Sequence, residues 1–193
     1  MSNALKQSRL TIFSILILLA GAGWVWISRA DPGSTTSGSI PAPQVGFLAP
    51  DFSLVNQNGE IVQLSDLRGQ PILLNFWASW CGPCRSEMPS MQKVYQELND
   101  GGIEILAVNS TIQDDPDAAN QFARELGLTF PILFDTTGEA TRQYLVRALP
   151  TSFFIDRYGI IQEIVVGGPI SEALLRIRLT RRLDQPPIPQ EAP

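Results

Sequence analysis

The chain contains 193 residues with a formal net charge of −5 at pH 7, two cysteines and no histidine. The lack of histidine excludes Ser-His and Cys-His catalytic pairs and every zinc site that uses imidazole. Two cysteines cannot supply the four thiolates of a structural zinc site, and no basic patch typical of nucleic-acid binding is present. We therefore predict one domain with appended segments that binds neither metal nor nucleic acid.

A long apolar segment lies near the N-terminus. Residues 10–27 contain no charged side chain, and as a helix they would extend about 27 Å, close to the ~30 Å hydrocarbon core of a bilayer. Lys6 and Arg9 precede this segment, so the positive-inside bias places the N-terminus in the cytoplasm and the rest of the chain outside. Residues 1–30 are thus predicted to be a short cytoplasmic stub and a transmembrane anchor. A signal peptide cleaved near residues 20–22 is the alternative, and it leaves the extracytoplasmic location unchanged.

Two segments without hydrophobic periodicity flank the main domain. Residues 31–44 are rich in Ser, Gly, Thr and Pro, which is typical of a flexible linker. Residues 184–193 are rich in proline and are predicted to be disordered. The folded domain is therefore predicted to span residues 45–183.

Strand and helix patterns alternate within this domain. A hairpin is predicted around Asn58-Gly59, and the apolar run 71–78 is typical of a strand buried on both faces. The later elements are a helix from the cysteines to about residue 99, strand 103–109, helix 114–126, strand 130–134, a helix ending at 145, hairpin strands 151–156 and 160–166, and a helix over 171–182. This order predicts an α/β fold with an N-terminal β-hairpin and a central mixed sheet flanked by helices.

The two cysteines, Cys81 and Cys84, are separated by only two residues. A disulfide that closes so short a loop removes little entropy from the unfolded chain, so a purely structural role is disfavoured. A redox role fits better, because CxxC cysteines at a helix N-terminus have a lowered thiol pKa. We predict that Cys81, at the exposed start of the helix, attacks a partner disulfide and that the more buried Cys84 resolves the mixed disulfide. The resulting Cys81–Cys84 disulfide is the only redox group required, so no cofactor is expected.

The neighbours of the cysteines suit this chemistry. Pro83 falls in the first helical turn, where a missing N–H costs nothing, and Gly82 places no side chain above the sulfur of Cys81. Trp80 directly precedes Cys81 and is interpreted as an apolar lip for a protein partner. All three residues are therefore predicted to contact substrate.

The sequence FWASWCGPC after a buried strand resembles the thioredoxin active site. Four stretches also resemble the TlpA/ResA-type subfamily of membrane-anchored, extracytoplasmic thioredoxin-like proteins: APDFSL at 49–54, LSDLRGQPILLNFWASWCGPCRSEMP at 64–89, FPILFD at 130–135 and LPTSFFID at 149–156. The resemblance implies a thioredoxin-like fold in which residues 114–134 form an inserted helix-strand unit. It also implies the activity of a thiol-disulfide oxidoreductase.

The same resemblance implies a substrate groove around Pro150. This residue is expected to be a cis-proline that faces the cysteines, with Thr151 after it. Proline has no N–H to crowd the sulfur, and the backbone of Leu149 is then free to pair with an extended substrate strand. Leu149 and Thr151 are accordingly predicted to bind substrate.

A proton acceptor for Cys84 is the next requirement. Thioredoxin has a buried Asp at the position where this chain has Asn75, and a neutral amide cannot take the proton. Glu87 lies one helical turn after Cys84, and the resembling subfamily has an acid there. Glu87 is therefore the candidate for holding the Cys84 proton, and a solvated surface glutamate is the alternative.

Two further features have structural interpretations. Trp77 belongs to the buried strand and is interpreted as a core residue. Three acids precede the inserted helix and could suggest a cation site, but helix capping is the favoured interpretation for Asp114, Asp115 and Asp117. Neither feature adds to the predicted chemistry.

Together these features predict an extracytoplasmic, membrane-tethered protein-disulfide reductase. The resemblance adds the haem-attachment site of apocytochrome c as a client and a membrane thiol-transfer protein as electron donor. A peroxide-reducing antioxidant enzyme of the peroxiredoxin branch would want a Thr three residues before Cys81, where this chain has Ala78. A non-enzymatic copper-handling module would want CxxxC and a distant His. A protein oxidase stays open, because the reduction potential depends on tertiary detail.

Overall fold

The structure is a computed structural model that describes residues 40–183 and six N-terminal positions, 15, 17–19, 21 and 24. Apart from those six positions, the predicted anchor, residues 31–39 of the predicted linker and the predicted tail 184–193 lie outside the described residues. Among the described residues, no helix combines the length and the apolar character that crossing a bilayer requires. The chain divides into two compact units, Met1–Thr36 and Ser37–Pro193, and the features below belong to the second.

Seven strands form one sheet at the centre of this unit. They are β1 (Ser53–Asn56), β2 (Ile61–Gln63), β3 (Ile72–Trp77), β4 (Glu104–Asn109), β5 (Ile132–Phe134), β6 (Thr151–Ile155) and β7 (Ile161–Val166). Their order across the sheet is β2-β1-β5-β4-β3-β6-β7. β3 pairs in parallel with β4 and antiparallel with β6, and β4 pairs in parallel with β5. The predicted mixed sheet and the predicted N-terminal hairpin of β1 and β2 are both confirmed.

Among residues 40–183, four α-helices cover the two faces of the sheet: α1 (Gly82–Leu98), α2 (Pro116–Glu125), α3 (Glu139–Gln143) and α4 (Glu172–Leu183). All six residues of β3 are buried, because its alternate side chains enter two separate cores. Leu73 belongs to the core that includes α1, α2 and α4, whereas Leu74 belongs to the core that includes α3 and Tyr144. The strand that leads to Cys81 is therefore held from both sides.

Some element boundaries differ from the predicted ones. The helix predicted to reach residue 145 ends at Gln143, because Leu145 has a φ of 52°, in the left-handed region. The strand predicted over 130–134 begins at Ile132, since Pro131 has no N–H to donate to a ladder. At the end of the predicted linker, the N–H of Ala42 donates to the carbonyl of Leu48 at 3.0 Å.

Candidate active site

The cysteines lie where the central strand passes into the first helix. β3 ends at Trp77, and the N–H of Cys81 donates to the carbonyl of Ala78 at 3.1 Å, which closes the turn between the two elements. Cys81 is the N-cap residue of α1, and its Sγ accepts a hydrogen bond from the N–H of Cys84 at 3.2 Å. The two cysteines form a disulfide with their Cα atoms 5.3 Å apart. The sulfur of Cys81 thus occupies the place where a helix N-terminus stabilises negative charge.

The two cysteines differ in exposure in the expected direction. Cys84 is completely buried, and Cys81 is 4% exposed. The expectation that Cys81 is openly exposed is wrong for the disulfide form, because its sulfur packs into the same core as Cys84. Gly82 and Pro83, between them, are exposed. A partner would therefore meet these two residues before it reaches the sulfur of Cys81.

Pro150 stands beside the end of β3. The Leu149–Pro150 peptide bond is cis, as predicted, and Thr151 is paired with Phe76 in the neighbouring strand. The hydroxyl of Thr151 donates to the carbonyl of Ala148 at 2.7 Å, so this side chain holds the loop before the proline. Within residues 40–183, neither the N–H nor the carbonyl of Leu149 has a hydrogen-bond partner. This backbone is available to an extended chain.

Glu87 is buried beneath the site. Its side chain is 0% exposed, so the alternative of a solvated glutamate is wrong. One carboxylate oxygen accepts from the amide of Asn75 at 2.9 Å, and the other accepts from the N–H of Ile170 at 3.1 Å. Burial raises the pKa of Glu87, although these hydrogen bonds from Ile170 and Asn75 oppose the rise. The group is therefore able to hold a proton closer to neutral pH than an ordinary glutamate.

Asn75 connects Glu87 to the strand after Pro150. Its side-chain amide also donates to the hydroxyl of Ser152 at 2.9 Å. Its carbonyl oxygen Oδ1 is buried and has no partner among the described residues. An unpartnered buried acceptor is costly, and a protonated carboxyl of Glu87 is a group that could donate to it. The sequence analysis missed Ser152, because no local pattern sets it apart from other buried strand residues.

Gly168 is where Glu87 and Pro150 meet. A Cβ built on Gly168 would lie 2.6 Å from Oε2 of Glu87 and 2.9 Å from Cγ of Pro150. Both distances are shorter than real Cβ contacts, so only glycine fits without a shift of these neighbours. The next peptide bond, Gly168–Pro169, is also cis, a feature the sequence analysis did not predict.

The acids before the inserted helix have separate roles. Asp115 caps α2 by accepting from the N–H of Asp117 at 2.9 Å, as predicted. Asp114 instead accepts two hydrogen bonds from Ser79, both at 2.6 Å. The prediction that Asp114 caps the inserted helix is therefore wrong. Among the described residues, no group of three or more His, Cys, Asp or Glu side chains is arranged to hold a metal ion.

Trp80 forms the rim of the site next to Cys81. Its side chain is 61% exposed, yet its Nε1 donates to the carbonyl of Gln113 at 2.9 Å. The predicted core residue Trp77 is completely buried and packs on Phe122 of α2, with ring centroids 4.9 Å apart. The inserted helix thus packs directly against the strand that leads to Cys81.

A CxxC disulfide at the start of the helix after the central strand, next to a cis-proline, defines a thioredoxin-fold thiol-disulfide oxidoreductase. Residues 45–164 match the model of the AhpC/TSA family, and the chain belongs to the ResA/TlpA type of thiol-disulfide oxidoreductase. It is 38% identical to the thiol-disulfide oxidoreductase ResA of Geobacillus kaustophilus over 173 residues, which are 89% of this chain and 95% of the relative. This relative is named for thiol-disulfide exchange and not for peroxide reduction.

Solved structures agree with this assignment. The protein of Chlorobium tepidum assigned as the thiol:disulfide interchange protein DsbE is 36% identical, with a TM-score of 0.65 over 70% of this chain and 95% of that chain. StoA of Bacillus subtilis is 29% identical, with a TM-score of 0.60 over 67% of this chain and 96% of that chain. The thioredoxin-like fold expected from the resemblance is therefore confirmed.

Proposed function

We propose that this protein reduces disulfides of other proteins outside the cytoplasm, with Cys81 as the attacking sulfur and Cys84 as the resolving sulfur. The observation that carries the proposal is the contrast between the cysteines. Cys81 caps the helix N-terminus, where its Sγ already accepts the N–H of Cys84, whereas Cys84 is completely buried. A thiolate on Cys81 is stabilised by that N–H and by the helix dipole, whereas Cys84 has no exposed surface for a protein partner to contact.

The first step is attack by the Cys81 thiolate on a client disulfide. A bond forms between Cys81 and one client sulfur, and the other client sulfur leaves as a thiolate that takes a proton from solvent. In the second step, the sulfur of Cys84 attacks Cys81, which releases the first client sulfur. Two electrons thus pass from the two cysteines to the client.

Glu87 accepts the proton that Cys84 releases in the second step. Cys84 must lose its proton to attack, and Glu87 lies one helical turn away with a raised pKa. When its carboxylate takes the proton, a rotation of the Asn75 amide lets the unpartnered Oδ1 accept the new O–H. The departing client sulfur then accepts the proton. Asn75 thereby stabilises either form of Glu87, through its N–H groups or through its carbonyl.

The client binds as an extended strand along the loop before Pro150. The free backbone N–H and carbonyl of Leu149 supply the hydrogen bonds of such a pairing. Thr151 holds this loop through its bond to Ala148. The exposed Trp80 contacts the client with its indole, and the client also contacts the exposed Gly82 and Pro83 as it approaches Cys81.

We place the domain outside the membrane on the apolar segment 10–27 and the basic residues before it. A tethered domain outside the cytoplasm cannot be recharged by soluble cytoplasmic reductases, so the electron donor is a membrane thiol-transfer protein. The client in this proposal is the haem-attachment disulfide of apocytochrome c, which rests on the family resemblance. Fractionation of cells tests the location, since a domain protected from external protease in osmotically opened cells contradicts it.

The direction of electron flow is tested by the reduction potential. The full-length chain is equilibrated with glutathione buffers, and the oxidised fraction of the Cys81–Cys84 pair is read by alkylation. A reduction potential close to that of thioredoxin, about −270 mV, supports a reductase. A potential close to that of DsbA, about −120 mV, reverses the proposal to an oxidase.

The roles of the two sulfurs are tested by trapping. A Cys84→Ser variant should accumulate clients as mixed disulfides through Cys81, because the resolving sulfur is missing. The matched Cys81→Ser variant should trap none, since Cys84 is buried. Capture by the second variant alone would overturn the assignment.

A further inference from the structure

An acidic loop before the inserted helix holds the segment that precedes Cys81. Four donors converge on the carboxylate of Asp114: the N–H and O–H of Ser79 at 2.6 Å each, the amide of Asn109 at 2.7 Å and the N–H of Asp115 at 3.0 Å. Hydrogen bonds to an ionised acceptor are short and strong. Ser79 and Asp114 are separated by 35 residues in the chain, so this contact fixes two loops to each other.

The hydrogen bonds at this place favour the ionised form of the Asp114 carboxylate. Although partial burial alone would raise it, the pKa of Asp114 is lowered by the hydrogen bonds from Ser79, Asn109 and Asp115. Asn109 is itself completely buried at the end of β4. The loop is therefore fixed to the sheet through Asn109, and the two hydrogen bonds from Ser79 to Asp114 fix Ser79 to the loop.

Trp80 is held from the same loop. Its Nε1 donates to the carbonyl of Gln113, the residue before Asp114, while most of the indole stays exposed. Ser79, adjacent to Trp80, is fixed by Asp114 at the same time. A large aromatic side chain that is open to solvent but fixed in orientation loses little entropy when a partner covers it.

We propose that Asp114 is a positioning residue for protein substrates: it holds Ser79 and the Gln113 carbonyl so that Trp80 presents a fixed apolar wall beside Cys81. The substrate class that fits this wall is a disulfide in an extended peptide with a bulky apolar side chain next to the cysteine. In this role Asp114 acts through Ser79 and the Gln113 carbonyl and not on the sulfurs or the substrate directly. This inference rests on the proposed function, because it concerns the client of the same site.

The test compares Asp114→Asn with Asp115→Asn in the full-length chain. Both changes remove one negative charge from adjacent residues, but Asp115 caps α2 and does not contact Ser79. An asparagine at 114 cannot accept all four hydrogen bonds, because half of its side chain is a donor. The pre-reduced proteins are mixed with a synthetic peptide disulfide carrying Leu beside the cysteine, and the single-turnover rate is measured against peptide concentration.

We expect Asp114→Asn to raise the half-saturating concentration about tenfold, which corresponds to about 1.4 kcal/mol, with the maximal rate lowered less than about twofold. Asp115→Asn should stay within about twofold of the parent in both quantities. With Ser in place of Leu in the peptide, the effect of Asp114→Asn should shrink to about twofold. Equal effects of the two variants, or a loss confined to the maximal rate, would overturn the inference.

Two further measurements make the test of Asp114 conclusive. Ser79→Ala retains the carboxylate and removes one donor, so it should raise the half-saturating concentration about threefold, and it decides the matter if Asp114→Asn does not fold. The same series is run with the oxidised protein and the peptide dithiol. If the protein oxidises but does not reduce the peptide, the proposed direction fails, whereas the Asp114 effect on half-saturation should persist in the direction that operates.

Discussion

Glu87 and Asp114 are both carboxylates near the active-site segment, and they differ in the balance between burial, which raises the pKa, and hydrogen bonds, which lower it. Glu87 is completely buried and accepts two hydrogen bonds, and burial raises its pKa. Asp114 is half-buried and accepts four, which lower its pKa. In our proposal the first gains and loses a proton during turnover, whereas the second favours its ionised form and anchors the loop before Cys81. Sequence alone marks both as acids near helix α1 or α2.

The two carboxylates therefore have different proposed roles: Glu87 takes part in proton transfer, whereas Asp114 positions the substrate-binding wall. One side of the site contains the buried Glu87 and Asn75 together with Gly168, and a change there should alter rates of sulfur exchange. The exposed side contains Asp114 and Trp80, and a change there should alter substrate affinity. The predictions below test whether the two sides can be disturbed independently.

The largest effect is expected for Glu87→Gln. An amide cannot take the proton of Cys84, so the second step should slow about 100-fold, within the usual contribution of general acid–base catalysis. Asn75 can rotate its amide so that its unpartnered Oδ1 accepts from the new side chain, so the variant should fold. Quenched-flow measurement of the mixed disulfide checks this, with Asp114→Asn as control. Similar slowing in both variants would remove the distinction between the two sides.

A steric change at Gly168 should come next. Alanine there places a Cβ against Glu87 and Pro150, and overpacking of this kind costs about 1–3 kcal/mol of unfolding free energy. We expect slower attack by Cys81 as well, since Pro150 must shift. Urea unfolding of the oxidised protein measures the first effect. Unaltered stability together with unaltered rates would show that the contact is not tight.

The pH dependence of stability should have opposite signs for the two carboxylates. The pKa of Glu87 is raised above its ordinary 4.5, so its contribution is complete below that pH and is lost as the pH rises through the folded pKa. The pKa of Asp114 is lowered below 3.8, so its contribution is present above that pH and is lost as the pH falls through the folded pKa.

The measurement is urea unfolding of the oxidised protein across both windows, with each parent curve compared to its own amide variant. Relative to Glu87→Gln, the parent should lose stability as the pH rises above about 4.5. Relative to Asp114→Asn, the parent should lose stability as the pH falls below about 3.8. Curves that run parallel in either comparison would contradict the assigned direction for that residue.

The smallest effect is expected for Trp80→Phe. It removes the hydrogen bond to Gln113 but keeps an aromatic ring, so stability should fall by about 1 kcal/mol or less. The half-saturating concentration of the Leu-containing peptide should rise about threefold, because the ring is no longer held. Combined with Asp114→Asn, the two effects should be less than additive, since both act on the same wall. Full additivity would mean that Asp114 acts elsewhere.

The local parts of this protein could be predicted from its sequence. The order of strands and helices follows from hydrophobic periodicity, which each segment carries by itself. The place of Cys81 at a helix start follows from a buried strand, a turn and Pro83 within a few residues. The cis state of Pro150 came from family resemblance rather than from any local pattern.

Only the tertiary structure decided which acid does what. Glu87 meets the N–H of Ile170, 83 residues away, and Asp114 meets Ser79, 35 residues away. The pKa of a carboxylate depends on the groups that surround it in space, and these two contacts come from residues that are distant in the sequence. The sequence by itself therefore determined the two sulfurs and the helix that bears them, whereas long-range contacts set the opposite pKa shifts of the two carboxylates on which their proposed roles rest.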